Sequence, residues 1–78
     1  MTKSEILKRM QQVAREQLGD SELVLTEELS LSNDLDVDSI GLMTFVIGLE
    51  DEFGISIPDD KIDSFKRIQD VVEFIQQQ

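Results

Sequence analysis

The sequence predicts an all-α fold, a small four-helix bundle with a long loop between its first and second helices. Apolar residues recur at helical spacing in three separate segments, and two of these segments end at a glycine, a common residue just beyond a helix. The chain has 78 residues and no cysteine, so a packed apolar core must hold it together without disulfides. This length fits one compact domain, and we expect residues 1–78 to form it.

The first predicted helix spans residues 3–18. Thr2 and Glu5 form a capping-box pattern at its start, and Gly19 ends it. Its apolar stripe comprises Ile6, Met10, Val13, Ala14 and Leu18. Residues 19–37 are rich in leucine, but they follow neither a helical nor a strand period and contain several residues that break regular structure. We therefore predict an ordered loop whose leucines insert into the core.

The second predicted helix spans residues 39–53, with Asp38 as its N-cap and Gly54 just beyond its end. Pro58 suits the first position of a short helix that runs to about Ser64. The alternation over residues 54–57 is too short to indicate a strand. The last predicted helix covers 67–77, and its apolar stripe comprises Ile68, Val71, Val72, Phe74 and Ile75. We expect a bundle core that includes Phe45, Leu49, Phe53, Val71 and Phe74.

The second helix is apolar on more than one face. One stripe comprises Leu42, Phe45, Val46, Leu49 and Phe53, and a second, offset stripe comprises Ile40, Met43 and Ile47. A centrally placed helix would bury both. Alternatively, the second stripe stays partly exposed as a docking patch rimmed by Asp38, Glu50 and Asp51. Gly41 and Gly48 each cost this helix about 1 kcal/mol relative to alanine, and Gly41 would also let a partner approach the backbone closely.

Composition and charge exclude several classes of function. Without histidine or cysteine, the chain lacks the usual general base and the softer metal ligands, so we expect neither an enzyme nor a metal site. The net charge is −10, and residues 16–60 contain thirteen Asp or Glu and no Lys or Arg. Nucleic acid is a poor partner for this surface. Basic protein surfaces fit it, although an acidic surface also serves solubility.

The hydropathy pattern predicts neither a membrane span nor a secretory signal. The longest apolar stretch, around residues 45–49, is interrupted by Gly48, and the first ten residues are polar. We expect a cytoplasmic protein, monomeric and without membrane insertion.

Asp34, Asp36 and Asp38 imitate the first three ligands of an EF-hand calcium loop. The sixth position of such a loop requires glycine and the twelfth a glutamate, and here they hold Ser39 and Phe45. The calcium hypothesis therefore fails on spacing, although these carboxylates could bind divalent cations weakly. An acidic loop ahead of a helix N-terminus is the simpler interpretation, because the helix dipole favours it.

The triplet Asp38-Ser39-Ile40 begins a helix after a long loop. It is followed by the segments Leu49 to Gly54 and Ile57 to Asp60 in an acidic chain without Cys or His. With these motifs the sequence resembles the acyl carrier protein family over nearly its whole length, most clearly from Asn33 to Ile75. In that family an Asp-Ser-Leu triplet starts the second helix, and Ile40 is a conservative departure from it.

The resemblance implies a four-helix fold of acyl-carrier type and a covalent 4′-phosphopantetheine on Ser39, beside Asp38. A separate phosphopantetheinyl transferase would attach the arm from coenzyme A with magnesium, because no base within the chain can activate Ser39. Acyl-transferring, acyl-activating or synthase enzymes with basic docking surfaces would then use it. The expected docking residues are Ile40, Gly41, Met43, Ile47, Glu50 and Asp51.

The pathway stays open at this point. Carriers of fatty-acid synthases usually have acidic residues two and five positions after the serine, where this chain has Gly41 and Thr44. We favour fatty-acid or related lipid biosynthesis, with a D-alanyl, peptidyl or polyketide carrier of a dedicated pathway as the alternative. A third hypothesis is an acidic interaction module that is never modified.

Overall fold

The structure, a computed structural model, describes residues 1–31, 33–35 and 38–78. That part of the chain contains no strand, and its four helices are α1 (Lys3–Leu18), α2 (Ser39–Phe53), α3 (Asp59–Ser64) and α4 (Ile68–Gln76). The all-α prediction is confirmed. Three boundaries differ from expectation: α4 begins one residue later and ends one residue earlier, and Pro58 is the N-cap of α3 rather than its first residue, because its ψ of 149° is extended.

The helix ends follow from the capping residues. The Oγ1 of Thr2 accepts a hydrogen bond from the Glu5 N–H at 3.2 Å, which satisfies one of the free donors at the start of α1. Gly19 and Gly54 end α1 and α2 with φ of 70° and 63°. This left-handed conformation costs glycine little, so the two predicted helix ends coincide with the observed ones.

The core is formed by all three long helices and the connecting loops. Its buried members are Ile6, Met10, Val13, Ala14, Leu25, Leu31, Leu35, Phe45, Val46, Leu49, Ile57, Ile68, Val71, Val72 and Ile75. The predicted core positions Phe45, Leu49 and Val71 are confirmed. Phe53 and Phe74 are only partly buried and pack against the core edge. Each has an edge partner instead: the Arg9 guanidinium lies 4.8 Å from the Phe53 ring centroid, and Phe65 contacts Phe74 edge-to-face.

The described part of the long loop between α1 and α2 is joined to the start of α4. Its residues Leu25, Leu31 and Leu35 are buried, as the sequence predicts, whereas Val24 is 60% exposed. Backbone hydrogen bonds join the loop to the start of α4: the Ile68 N–H donates to the Leu29 carbonyl at 2.9 Å, and the Leu31 N–H donates to the Lys66 carbonyl at 3.0 Å.

Gly48 allows α1 and α2 to approach closely. A Cβ atom at this position would lie 2.9 Å from Cγ1 of Val13 and 3.0 Å from Cγ of Gln17. Contacts that short do not occur in packed proteins, so any larger side chain would push the helices apart. The helix-propensity cost of this glycine is therefore offset by close packing.

The length and hydropathy of the described helices distinguish them from a membrane span. None of them combines the length and the apolar character needed to cross a membrane.

Candidate functional site

Ser39 is the first residue of α2, and it is exposed. The preceding Asp38 caps the helix: its Oδ1 accepts a hydrogen bond from the Gly41 N–H at 2.8 Å, and its carbonyl accepts from the Leu42 N–H at 3.0 Å. The predicted N-cap is thereby confirmed. These bonds fix the first turn of α2, so the Ser39 hydroxyl stands at a defined point on the surface.

The chemistry available at this point is limited. Asp38 uses one carboxylate oxygen for the cap, and the chain has no histidine, the usual base that activates a serine nucleophile. A helix N-terminus does stabilise a negative charge, through its free N–H groups and its dipole. An exposed serine hydroxyl at such a terminus fits a phosphodiester linkage, and the residues present are compatible with a phosphopantetheine arm.

The docking patch, Ile40, Met43 and Ile47, is exposed. These three residues are 77%, 40% and 53% exposed. The alternative that α2 buries both apolar stripes is wrong for this stripe, because the core contacts only the opposite side of the helix, through Phe45 and Leu49. Gly41 is half-buried beside the patch. Exposed apolar side chains next to a candidate attachment serine are typical of an interaction surface.

The acidic rim of the patch differs from expectation in one residue. The Oε2 of Glu50 accepts a hydrogen bond from the Ile57 N–H at 2.7 Å, and the Glu50 carbonyl accepts from the Ile55 N–H at 3.1 Å. Glu50 is therefore turned toward the loop that joins α2 to α3, where it organises the backbone. Asp51 is fully on the surface.

Sequence reasoning missed a polar clasp between α1 and the end of α2. Arg9 contacts the Glu52 carboxylate at 2.7 Å, and it donates a second hydrogen bond to the Glu52 carbonyl at 2.9 Å. The two residues lie 43 positions apart, so no local pattern could have paired them. The clasp places a cation at the C-terminus of α2, where the helix dipole favours it.

The calcium hypothesis gains no support from the described acidic residues. The Oδ2 of Asp34 accepts a hydrogen bond from the Ser30 N–H at 2.8 Å, and Asp38 caps α2. Asp36 lies outside the described residues. Within the described ranges, no three Asp, Glu, His or Cys side chains are grouped so as to hold a metal ion.

An apolar cleft lies behind α2, on the core side of the helix. Its volume is only about 10 Å³, roughly the space of one water molecule. Its walls comprise Leu31, Leu42, Phe45, Val46, Leu49, Ile57, Ile62, Phe65 and Val71.

Comparison with known proteins relates this geometry to a family. Residues 8–75 match the family described as "Phosphopantetheine attachment site". The acyl carrier proteins of Myxococcus xanthus and Micrococcus luteus are each 40% identical over 74 residues, which cover 95% of this chain and 94% and 91% of the relatives. The acyl carrier protein of Exiguobacterium sibiricum is 40% identical over 78 residues, covering 100% of this chain and 99% of the relative.

A solved structure supports the fold independently. The crystal structure of an acyl carrier protein from Thermotoga maritima superposes with a TM-score of 0.82, covering 96% of this chain and 87% of that one at 24% identity. The family match and the near-complete coverage of the relatives agree with the helical architecture. The chain therefore belongs to the acyl carrier protein family: it is a carrier rather than an enzyme, and phosphopantetheine is its cofactor.

Proposed function

We propose that Ser39 is the residue that bears 4′-phosphopantetheine, and that the chain carries acyl intermediates as thioesters on this arm. The observation that supports the proposal most directly is the exposed Ser39 hydroxyl at the capped N-terminus of α2. It lies inside the segment that matches the phosphopantetheine attachment family. The arm supplies a thiol, which the chain itself lacks because it has no cysteine.

Loading requires a phosphopantetheinyl transferase that brings coenzyme A and the base. The Ser39 Oγ would attack the phosphorus that bears the pantetheine unit and form a new P–O bond, while the P–O bond to adenosine 3′,5′-bisphosphate breaks. The hydroxyl proton passes to a base of the transferase. Asp38 contributes by holding the first turn of α2, and the N-terminal dipole of α2 stabilises the charge of the phosphodiester.

Members of the family interact with synthases and acyl-transferring enzymes in general. For this chain, we assign the contact with the transferase and with later enzymes to Ile40, Gly41, Met43, Ile47 and Asp51. Partner surfaces with basic character fit the net charge of −10. Glu50 is left out of the contact set because its carboxylate binds the Ile57 N–H.

For the pathway, fatty-acid or related lipid biosynthesis is the proposal. The relatives that match over nearly the whole chain are acyl carrier proteins, which supports a carrier of acyl groups. The rival is a D-alanyl, peptidyl or polyketide carrier, which the uncharged Gly41 and Thr44 favour. Comparing kcat/KM of the loaded protein with a fatty-acyl transferring enzyme and with a D-alanyl activating enzyme separates the two.

The proposal extends to the domain organisation, the oligomeric state and the cellular location of the carrier. We propose that residues 1–78 act as a single carrier domain, as a monomer in the cytoplasm, with no nucleic-acid partner. Equilibrium sedimentation of the loaded protein tests the monomer.

Intact mass measurement tests the attachment. Incubation with a phosphopantetheinyl transferase, coenzyme A and magnesium should add the mass of one phosphopantetheinyl group to the wild-type chain. Ser39→Ala should gain no mass and should keep the wild-type circular dichroism spectrum, because an exposed side chain has few core contacts. Ser64→Ala, which removes another exposed helical serine, is the matched control and should load normally. A loaded Ser39→Ala protein would contradict the proposal.

A further inference from the structure

An open apolar groove lies at the end of the bundle where α2 and α4 finish. Its volume is about 390 Å³, which is in the range of small-molecule sites, whereas the cleft behind α2 has room for about one water molecule. Ser39 stands at the other end of α2, about 21 Å from Phe53 along the helix axis at about 1.5 Å per residue. The groove is therefore separate from the candidate attachment site. Its apolar walls are Met1, Ile6, Phe53, Ile55 and Ile75.

The fold holds these walls in place. Ile6 on α1 and Ile75 on α4 are buried members of the core. Gly54 ends α2 in the left-handed conformation, and the chain then turns so that Ile55 lines the same groove as Phe53. A groove whose walls are already fixed loses little conformational entropy when a ligand enters it.

Arg9 brings an underused hydrogen-bond donor to the groove. Its Nε and Nη2 donate to the carboxylate and the carbonyl of Glu52, at 2.8 Å and 2.9 Å. Among the described residues its Nη1 contacts only the Met1 Sδ, at 3.6 Å, and a thioether sulfur is a weak acceptor. The guanidinium also lies over the ring of Phe53, so it stands beside two walls of the groove. An oxygen acceptor at this point would gain a charge-assisted hydrogen bond from Nη1.

The charge near the groove is more favourable to an anion than the charge along α2. Residues 1–9 contain three basic side chains and one acidic one, whereas residues 16–60 contain thirteen acids and no Lys or Arg. The other two lining residues, Gln76 and Gln78, are neutral. A single negative charge is thus repelled less at this end of the bundle, although the net charge of the chain is −10.

We infer that this groove binds an aliphatic monocarboxylate. The aliphatic chain lies between the apolar walls, and one carboxylate oxygen accepts a hydrogen bond from Arg9 Nη1 in place of the Met1 sulfur. The apolar walls favour burial of an aliphatic chain, and the guanidinium favours one anionic oxygen at its end. The site uses neither Ser39 nor the phosphopantetheine arm, so it is a function beyond that of the carrier.

Titration of the unmodified chain with octanoate, followed by the methyl signals of its isoleucines in NMR spectra, locates the site. The signals of Ile6, Ile55 and Ile75 should shift together and saturate, because these side chains line the groove. Ile40 and Ile47 are internal controls on the exposed docking patch, and their signals should move little.

A comparison of octanoate with octanol tests the role of the guanidinium. Arg9→Gln should raise the Kd of octanoate about three- to tenfold and that of octanol less than about twofold, since octanol has no negative charge. A general loss of structure would weaken both ligands alike. Lys8→Gln, which removes a positive charge from an exposed position of α1, is the matched control and should leave the Kd of octanoate within about twofold of the wild type.

The inference fails if octanoate produces no saturable shift in the groove, or if it mainly shifts the docking patch or Ile57 and Ile62 beside the cleft behind α2. It also fails if Arg9→Gln weakens octanol as much as octanoate. Ser39→Ala should bind octanoate like the wild type, so a failure of the proposed attachment at Ser39 leaves this test intact. Weaker octanoate binding by Ser39→Ala would contradict a site independent of Ser39.

Discussion

Asp70 organises the start of α4 with one carboxylate oxygen. Its Oδ2 accepts hydrogen bonds from the Lys66 N–H at 3.0 Å and from the Arg67 N–H at 3.1 Å. The hydrogen bond from Lys66, followed by that from Arg67, holds the pKa of Asp70 below its ordinary value of 3.8. An ionised carboxylate is the better acceptor, so the charged form is favoured in the folded protein.

Replacing Asp70 by asparagine should therefore destabilise the protein at pH 7 but not in acid. Because the folded pKa is depressed, the contribution of the charge is complete above the unfolded pKa of about 4 and is lost as pH falls through the folded value. At pH 7 the free energies of unfolding of the two proteins should differ by a few tenths of a kcal/mol, since the site is near solvent. Thermal unfolding of both proteins from pH 7 downward measures it, and a gap that persists in strong acid would contradict this account.

Glu50 should position the loop between α2 and α3. Glu50→Ala removes the acceptor of the Ile57 N–H, which is part of a half-buried hydrogen bond. Loss of a hydrogen bond to a charged group costs about 1.5–3 kcal/mol, so amide exchange at Ile57 should accelerate at least about tenfold. Glu50→Gln keeps an acceptor oxygen and should stay closer to the wild type. Unchanged protection of Ile57 in Glu50→Ala would show that packing alone holds the loop.

At the scale of elements, the contact between α1 and α2 depends on the absence of a side chain at Gly48. Alanine has a better helix propensity than glycine by about 1 kcal/mol, but its Cβ would lie 2.9 Å from Val13 Cγ1. Overpacking of this kind costs about 1–3 kcal/mol. Val13 is β-branched and buried, so it has little freedom to move away. The steric cost should exceed the gain in propensity.

A double-mutant cycle tests that balance. Gly48→Ala should lower the free energy of unfolding by about 1 kcal/mol, and Val13→Ala should lower it through the cavity it leaves. The double variant removes Val13 Cγ1, so its loss should be smaller than the sum of the single losses by about 1 kcal/mol. Denaturant unfolding of the four proteins gives the coupling. If the two losses in free energy of unfolding simply add, the contact with Val13 is not the source of the strain in Gly48→Ala.

At the scale of the whole molecule, the negative charge opposes compactness. The net charge is −10, and among the described residues ion pairs join only Lys3 to Glu73 and Arg9 to Glu52. Adding salt from about 0.01 M to about 0.15 M shortens the Debye length and screens the repulsion. The melting temperature should rise over this range, as calorimetry would show. A falling melting temperature would mean that the ion pairs outweigh the repulsion.

Local patterns account for most of the fold. Gly19 and Gly54 mark the helix ends because a left-handed cap is a property of one residue, and Asp38 caps α2 through a bond to Gly41, three positions away. The sequence left open whether Ile47 is buried or exposed, because the spacing of apolar residues in α2 does not say which stripe faces the core.

Long-range contacts lie outside such patterns. Arg9 and Glu52 meet across 43 positions, and their pairing depends on how α1 packs on α2. The inward direction of Glu50 depends on the turn after Gly54, which brings the Ile57 N–H within reach. The partly buried position of Phe53 follows from the same packing. The sequence shows whether a residue is acidic or apolar. Which residue it contacts is known only once the helices are packed together.

Locating the phosphopantetheine arm on the loaded chain is the most direct test of its attachment at Ser39. Trypsin leaves residues 16–61 as one fragment, since no Lys or Arg occurs from 16 to 60, so tandem mass spectrometry of that fragment must assign the modified residue. The account predicts one phosphopantetheinyl group on Ser39. The same group on Ser21, Ser30, Ser32 or Ser56 would contradict it.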